Sequence, residues 1–420
     1  MEKENVILGE GCIYSTDSSV TGINNNIIVC GGSGSGKTMS ISEPRILEAY
    51  NGSLIITVTK RRIADKYKSM FIKRGYEVET INFVNPNKGS IGYDPLEYIK
   101  CNQDITFLAD SIVNAGSNAV TSKDPYWSNA AASLLSAEIA YVLQKSERPC
   151  FAEVLVMNDV LSFWEDEDSS SIITSLDKYF QELEEESPDC FAISCWKTFR
   201  CLPRTTAGCV FGTLNAVMDK MFSEDLRNVF YINKTIDFQR LSSRKTVLFI
   251  VTNPVNLAAN SFINIFYSTA FKELFEYAES KRSGKLPVPV HVLCDDFATG
   301  GKINDFVNYI SIFREKDISV TLLLQSETQL RSMYEENEAE TIINNCDTYI
   351  YLGGMDLKTA ENISRRLNAP LEDVLYMPIG QEIIFRRGQK PIITKRYDIK
   401  SNKLYQLVSK RFERKSFEAS

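Results

Sequence analysis

IIVCGGSGSGKTMSISEPR, residues 27–45, is the stretch on which the reading of this chain turns. Four apolar residues run straight into GGSGSGKT, so a short buried strand is expected to end in a glycine-rich turn. The segment Gly31-Gly32-Ser33-Gly34-Ser35-Gly36-Lys37-Thr38 fits GxxxxGK[ST] in full. Glycines let backbone N–H groups turn toward phosphates, and the helix that follows points its positive N-terminus at them. In such a loop Lys37 reaches the β- and γ-phosphates, and the Thr38 hydroxyl holds Mg2+. Pro44 is expected to end or bend that helix early.

The rest of the chain sets limits on what the loop serves. At 420 residues and 44% hydrophobic content, it is long enough for two domains with a large core. Its 54 acidic residues outnumber 47 Lys and Arg, for a net charge of -7. That excludes a surface that is basic throughout, though not a local basic channel. No apolar run approaches the roughly 20 residues that span a bilayer, and MEKENVILGE lacks the basic-then-apolar order of a signal peptide. A soluble, cytoplasmic protein is expected. Ten cysteines sit singly, without a CxxC pair, and His291 is the only histidine. This excludes the usual zinc patterns and most histidine-based acid–base chemistry. Even the cluster Cys190, Cys195, Cys201, Cys209 reads as reduced, structural thiols.

Periodicity divides the chain. Over 1–100, short apolar runs such as SLIITV alternate with helical stretches, which predicts a parallel sheet. Over 101–205 the strand signals vanish, and YWSNAAASLLSAEIAYVLQ and SIITSLDKYFQELEEE read as helices. The acidic runs Glu165–Asp168 and Glu182–Glu186 read as solvated faces of this block, a poor DNA binder and a plausible protein-docking surface. Over 206–400 the alternation returns, with KTVLFIV, VHVLC, SVTLLLQ, TYIYLG and EIIFRR as strands. Phe262, Phe266, Phe271 and Phe275 mark the core face of one long helix, and 401–420 is a basic tail. The expected fold class is α/β: a P-loop nucleotide-binding domain carrying an inserted all-alpha domain.

A P-loop needs a second acidic strand. PVHVLCDDF supplies one, ending in Asp295 and Asp296. Asp295 is placed to position Mg2+ through its waters, and Asp296 to activate the attacking water. SVTLLLQ ends in Gln325, where RecA-like motors place a polar residue that senses the γ-phosphate.

With NIIVCGGSGSGKT, RGYEVETINF, YDPLEYI, DPYWSNAAASLL, CDDFATGGKINDF, FREKDISVTLLLQSETQL and IINNCDTYIYLGGMDLKTAENIS in this order, the chain resembles the type IV coupling proteins, the TraG/TraD-like conjugative DNA-transfer ATPases. The resemblance covers nearly the whole chain. It implies a RecA-like fold, ATP and Mg2+ as cofactors, and a homohexameric motor. Such a motor brings relaxase-bound single-stranded DNA to a type IV secretion channel at the inner face of the cell membrane. It further implies an arginine given to a neighbouring subunit's site, for which Arg314 in IFREKDIS is the matching position.

Four features depart from the family. The usual pair of transmembrane helices is missing from this chain, which implies a separate membrane anchor or recruitment by a partner. The strand after the P-loop reads TVTKRR, with Lys60 as the surviving lysine but without the usual acid and glycine. Asp296 stands where the family has Glu, and Pro44-Arg45 where it has Pro-Asn. A carboxylate shorter by one methylene can misplace the attacking water, and about 1 Å can cost on the order of 100-fold. The alternative expectation is therefore an ATP-binding docking scaffold with slow or degenerate turnover. A small-molecule kinase fits poorly with so large a helical insertion.

Overall fold

The computed structural model describes residues 4–59, 61–116, 125–161, 163–165, 172–253, 257–295, 297 and 302–418. Among them run thirteen strands: β1 Asn5–Gly9, β2 Cys12–Ser15, β3 Ile27–Cys30, β4 Ser53–Val58, β5 Glu77–Asn82, β6 Phe163–Glu165, β7 Ile172–Thr174, β8 Thr246–Val251, β9 Val290–Cys294, β10 Ile318–Leu324, β11 Thr348–Tyr351, β12 Gln381–Arg386 and β13 Ile392–Lys395. Nine form one sheet in the order β13-β12-β11-β3-β10-β9-β4-β8-β5. The seven from β11 to β5 are mutually parallel, and β12 and β13 add an antiparallel edge. One strand, β10, separates the loop strand β3 from the acidic strand β9. This is a RecA-like α/β P-loop fold.

The central strands are continuous apolar runs because both faces are covered. Residues alternate between the two cores: Ile28 and Cys30 face one, Ile27 and Val29 the other. The first core packs the sheet against helices Leu257–Glu279, Phe306–Lys316 and Glu327–Asn344 and continues into the helical block. Phe262, Phe266 and Phe271 are fully buried there, while Phe275 is half-exposed at its margin. The second core lies under helices Glu43–Leu47 and Arg61–Lys73 and strand β1. Helix Lys403–Glu418 closes it by seating Val408 and packing on Arg61–Lys73. The basic tail is thus a docked helix, and Lys66 Nζ sits 3.7 Å from the Tyr405 ring centroid.

The helical block is built around helix Pro125–Lys145, whose alanines let neighbours approach closely. Asn102–Gly116, Phe151–Val160, Phe191–Arg200 and Arg204–Met221 pack on it. The run of helices continues beyond residue 205, because Arg204–Met221 is one uninterrupted helix. The expectation of a strand-free block needs correction: β6 and β7 pair as a short antiparallel hairpin, too brief to register as periodicity. In the second acidic run, Glu184 and Glu186 meet Lys197 and Lys145 at 2.6 and 2.7 Å on the surface. Asp166–Asp168 lie outside the described residues. All ten cysteines are free, and no group of metal ligands occurs among the described residues. No helix among them is long and apolar enough to cross a membrane.

Candidate phosphate-binding site

The glycine loop begins where β3 ends and is pinned to both neighbouring strands. Gly31 N–H donates to the Leu324 carbonyl at 3.1 Å, and Gly32 N–H to the Gly353 carbonyl at 3.0 Å. Space dictates glycine at the first position: a Cβ on Gly31 would lie 2.6 Å from Ser35 Oγ and 2.8 Å from Leu352 Cβ. Backbone conformation dictates it at Gly36, where φ is +86°. Ser35 N–H closes the turn on the Gly32 carbonyl at 3.1 Å. Ser33 and Gly34 are exposed at its tip.

Lys37 is buried, and its ammonium donates to the carbonyls of Gly31 and Gly32. Thr38, half-buried, opens a π-helical turn over Thr38–Ser42 that runs into helix Glu43–Leu47. Pro44 lacks the N–H that a regular ladder needs, and it sits near the start of a helix that ends at Leu47. Ser35 Oγ is enclosed by protein and has no hydrogen-bond partner, although a buried hydroxyl ordinarily finds one. Amides, a buried ammonium and an unpartnered hydroxyl together fit an anion with several oxygens.

The other predicted groups divide between the two edges of the sheet. Asp295, half-buried, directly follows β9. Gln325 directly follows β10 and is exposed. Leu324 pairs in register with Cys30, so Gln325 leaves the sheet level with the start of the glycine loop. Its position is held from behind. Ser326 caps helix Glu327–Asn344 by accepting from Gln329 N–H at 3.1 Å. Buried Glu327 accepts from Tyr349 Oη at 2.9 Å and Asn362 Nδ2 at 2.7 Å. Asp296 and Lys60 lie outside the described residues.

Arg314 is not brought to this edge. It is exposed near the C-terminal end of helix Phe306–Lys316, which leads into the beginning of β10. There it lines a cavity of about 610 Å³ with Arg45, Glu4, His291 and Asp317. Glu4 and Arg45 pair at 2.7 Å, both nearly buried. Burial pushes the Glu4 carboxyl up, but Arg45 and the amides of Asn51 and Tyr50 outweigh it and hold the group below its ordinary range. His291 lies in β9 between Ser319 and Thr321 hydroxyls at 2.8 and 2.9 Å. Burial, with Arg45 adding to it, holds its pKa well below the ordinary histidine value, so it is a neutral structural group.

Two features of the loop's surroundings escaped the sequence reading. Leu352–Gly354, after β11, forms the loop's second wall, and a Cβ on Gly32 would stand 3.7 Å from Gly354 Cα. The glycine pair in YLGG was its only signal. Arg396, near the far end of the chain, lies against Gly36, and nothing in the local sequence marks it.

Comparison with known proteins agrees with this geometry. Residues 2–369 match the family model described as type IV secretory system conjugative DNA transfer. No curated protein matches the chain. Among solved structures, the plasmid coupling protein TrwB in complex with ADP and Mg2+ superposes with a TM-score of 0.70 at 15% identity, over 95% of this chain and 90% of that one. The bacterial conjugative coupling protein TrwB, in a trigonal form with sulphate, gives 0.67 at 15% identity over 89% and 85%. VirB4 of Thermoanaerobacter pseudethanolicus gives 0.59 at 12% identity over 97% and 99%. The chain belongs to the type IV secretory system conjugative DNA transfer family.

Proposed function

We propose that this member of the conjugative DNA transfer family is an ATP-driven motor that recruits relaxase-bound single-stranded DNA to a type IV secretion channel and translocates it. One observation carries the reading. A complete phosphate loop is clamped between β10 and β11, with Gln325 beside it and Asp295 one strand away. That placement suits coupling of γ-phosphate loss to movement. The solved TrwB complexes with ADP and Mg2+ and with an ATP analogue support ATP and Mg2+ as ligands here.

Mg2+, when bound with the nucleotide, would supply charge neutralisation to the phosphates. Loop amides from Gly31 to Thr38 orient the phosphate chain, and Lys37 leaves the Gly31 and Gly32 carbonyls to meet it. Thr38 and Asp295 would hold the metal. Asp296 orients or deprotonates the attacking water, and Gln325 reports its loss of contact after hydrolysis. Arg314, at the opposite end of the strands, serves a neighbouring copy, and the working unit is the ring of six that the family resemblance implies. Recruitment to the inner face of the membrane by a separate anchor belongs to the same proposal.

Steady-state ATP hydrolysis with and without single-stranded DNA, beside Lys37→Ala, tests it. The expected outcome is DNA-stimulated turnover that falls at least 100-fold in the variant, with an unchanged far-UV spectrum. Turnover at the wild-type level in Lys37→Ala would remove the loop from the mechanism. Binding without turnover in the wild type would favour the docking scaffold, whose support is the TVTKRR strand end and the short Asp296.

A further inference from the structure

Arg396 follows β13 and lies beyond residue 369, where the family match ends. It nevertheless reaches the phosphate loop: a Cβ placed on Gly36 would stand 3.6 Å from Arg396 Nη1 and 4.0 Å from its Cδ. The position is anchored at three points. Arg396 N–H donates to the Gly380 carbonyl at 2.9 Å, Nε to the Gln381 carbonyl at 3.2 Å, and Nη2 to the Leu352 carbonyl at 2.5 Å. Nη1, the nitrogen nearest Gly36, makes no hydrogen bond among the described residues.

This side chain makes no salt bridge among the described residues. Among them Glu382 is the carboxyl that acts on it, and no hydrogen bond joins the two. Both Glu382 oxygens are buried and without partners. Burial pushes that carboxyl up to about 8, with Arg396 opposing, so it is mostly neutral at pH 7. Burial lowers the Arg396 pKa from its ordinary value while Glu382 raises it, yet a guanidinium keeps its proton throughout. A half-buried, fixed cation with one open donor thus stands against a loop built for anions.

Strand order says which part of a ligand it meets. β10 and β9, carrying Gln325 and Asp295, lie on one side of β3; β11, β12 and β13 lie on the other. The metal-bound γ end of a nucleotide belongs with the acidic strand. The nucleoside end then lies toward β11–β13, beside Arg396. We propose that Arg396 is a nucleotide-binding residue of its own chain, its Nη1 donating to the phosphate nearest the nucleoside. This rests on the reading of the loop as a nucleotide site.

The test is titration of fluorescent ADP and of a fluorescent non-hydrolysable ATP analogue into wild type, Arg396→Gln, Arg396→Lys and Lys37→Ala. Because the contacted phosphate is common to both ligands, Arg396→Gln is expected to weaken both by the same factor, on the order of 10- to 100-fold. Arg396→Lys recovers part of that loss, since it keeps the charge without the fork. In turnover, the KM of Arg396→Gln rises by a larger factor than its kcat falls. Unchanged affinity for both ligands overturns the proposal. Loss confined to the ATP analogue also overturns it, because it moves Arg396 to the γ end. Failure of the wild type to bind either ligand refutes the nucleotide reading itself, a separate result. Should the variants not fold, phenylglyoxal labelling of the wild type decides: protection of Arg396 by ADP supports the contact, and equal labelling with and without ADP overturns it.

Discussion

Where β4, β9 and β10 begin, charge is matched by charge; where β3, β10 and β11 end, cations rest on backbone carbonyls. At the first edge Arg45 pairs with Glu4 at 2.7 Å, and Lys285 with Asp317 at 3.1 Å. At the second edge Lys37 donates to Gly31 and Gly32, and Arg396 to Leu352 and Gln381. A carbonyl is a weaker partner for a cation than a carboxylate, so exchanging these bonds for a polyphosphate oxygen gains charge attraction. The difference teaches where function sits on one continuous sheet. Matched pairs lock an edge, whereas cations that donate to backbone carbonyls beside a glycine loop leave it ready for an anion.

Arg314 offers the harshest way to break this comparison. It stands at the locked edge, yet it is assigned to a neighbour's reaction. Arg314→Ala is expected to reduce ATP turnover by about 1000-fold while leaving nucleotide affinity of the isolated chain intact. Mixing it with Lys37→Ala should restore partial turnover, because some interfaces then combine an intact Arg314 with an intact loop. No recovery on mixing would assign Arg314 to its own edge alone.

Glu4→Ala tests whether that edge is structural. Removing one partner of a nearly buried pair costs about 3–5 kcal/mol, measured by urea unfolding at pH 7. Nucleotide affinity should stay within about twofold, since the site lies at the other end of the strands. The pH dependence has a definite sign. The folded pKa of Glu4 is depressed, so its contribution is present above the unfolded value of 4.5 and is lost as pH falls through the folded value. The variant should therefore lose part of the wild type's sensitivity to acid.

The helical block shows a third arrangement, a buried carboxyl matched only by an amide. Glu138 is fully buried, accepts from Asn158 Nδ2 at 3.3 Å, and is pushed by burial up to about 8, with Asp159 adding slightly and Asn158 opposing. A raised folded pKa means stability that is present below 4.5 and lost as pH rises through about 8. Glu138→Gln removes that loss. It should stabilise the protein at pH 7 on the order of 1–3 kcal/mol, the gain growing from pH 4.5 to 8 and then levelling. An equal change at pH 4 and pH 8 would show that packing, not ionisation, sets the effect.

The parts of the site written in short stretches were legible. IIVCGGSGSGKT is a strand, a turn and a helix start in sequence order, and VHVLC and SVTLLLQ placed Asp295 and Gln325 at strand ends with the right polarity. The early end of the helix after Pro44 was legible too, since it stops at Leu47. The hairpin β6–β7 was not, since three-residue strands carry no measurable period. Helix Lys403–Glu418 was read by its charge as a tail, although Leu404, Tyr405 and Val408 supply a face that packs on the chain's second core.

What the sequence determined by itself was the inventory: a phosphate loop, an acidic strand end, a polar strand end and a helical insertion. Hydrophobic period and backbone freedom decide these over a few residues. Only the tertiary structure decided the adjacencies. β10 comes between β3 and β9, β11 forms the loop's other wall, Arg314 stands at the far edge, and Arg396 arrives beside Gly36 from the chain's far end. Strand order follows from how helices cover both faces of the sheet and bury its two cores, a cooperative outcome that no local stretch encodes.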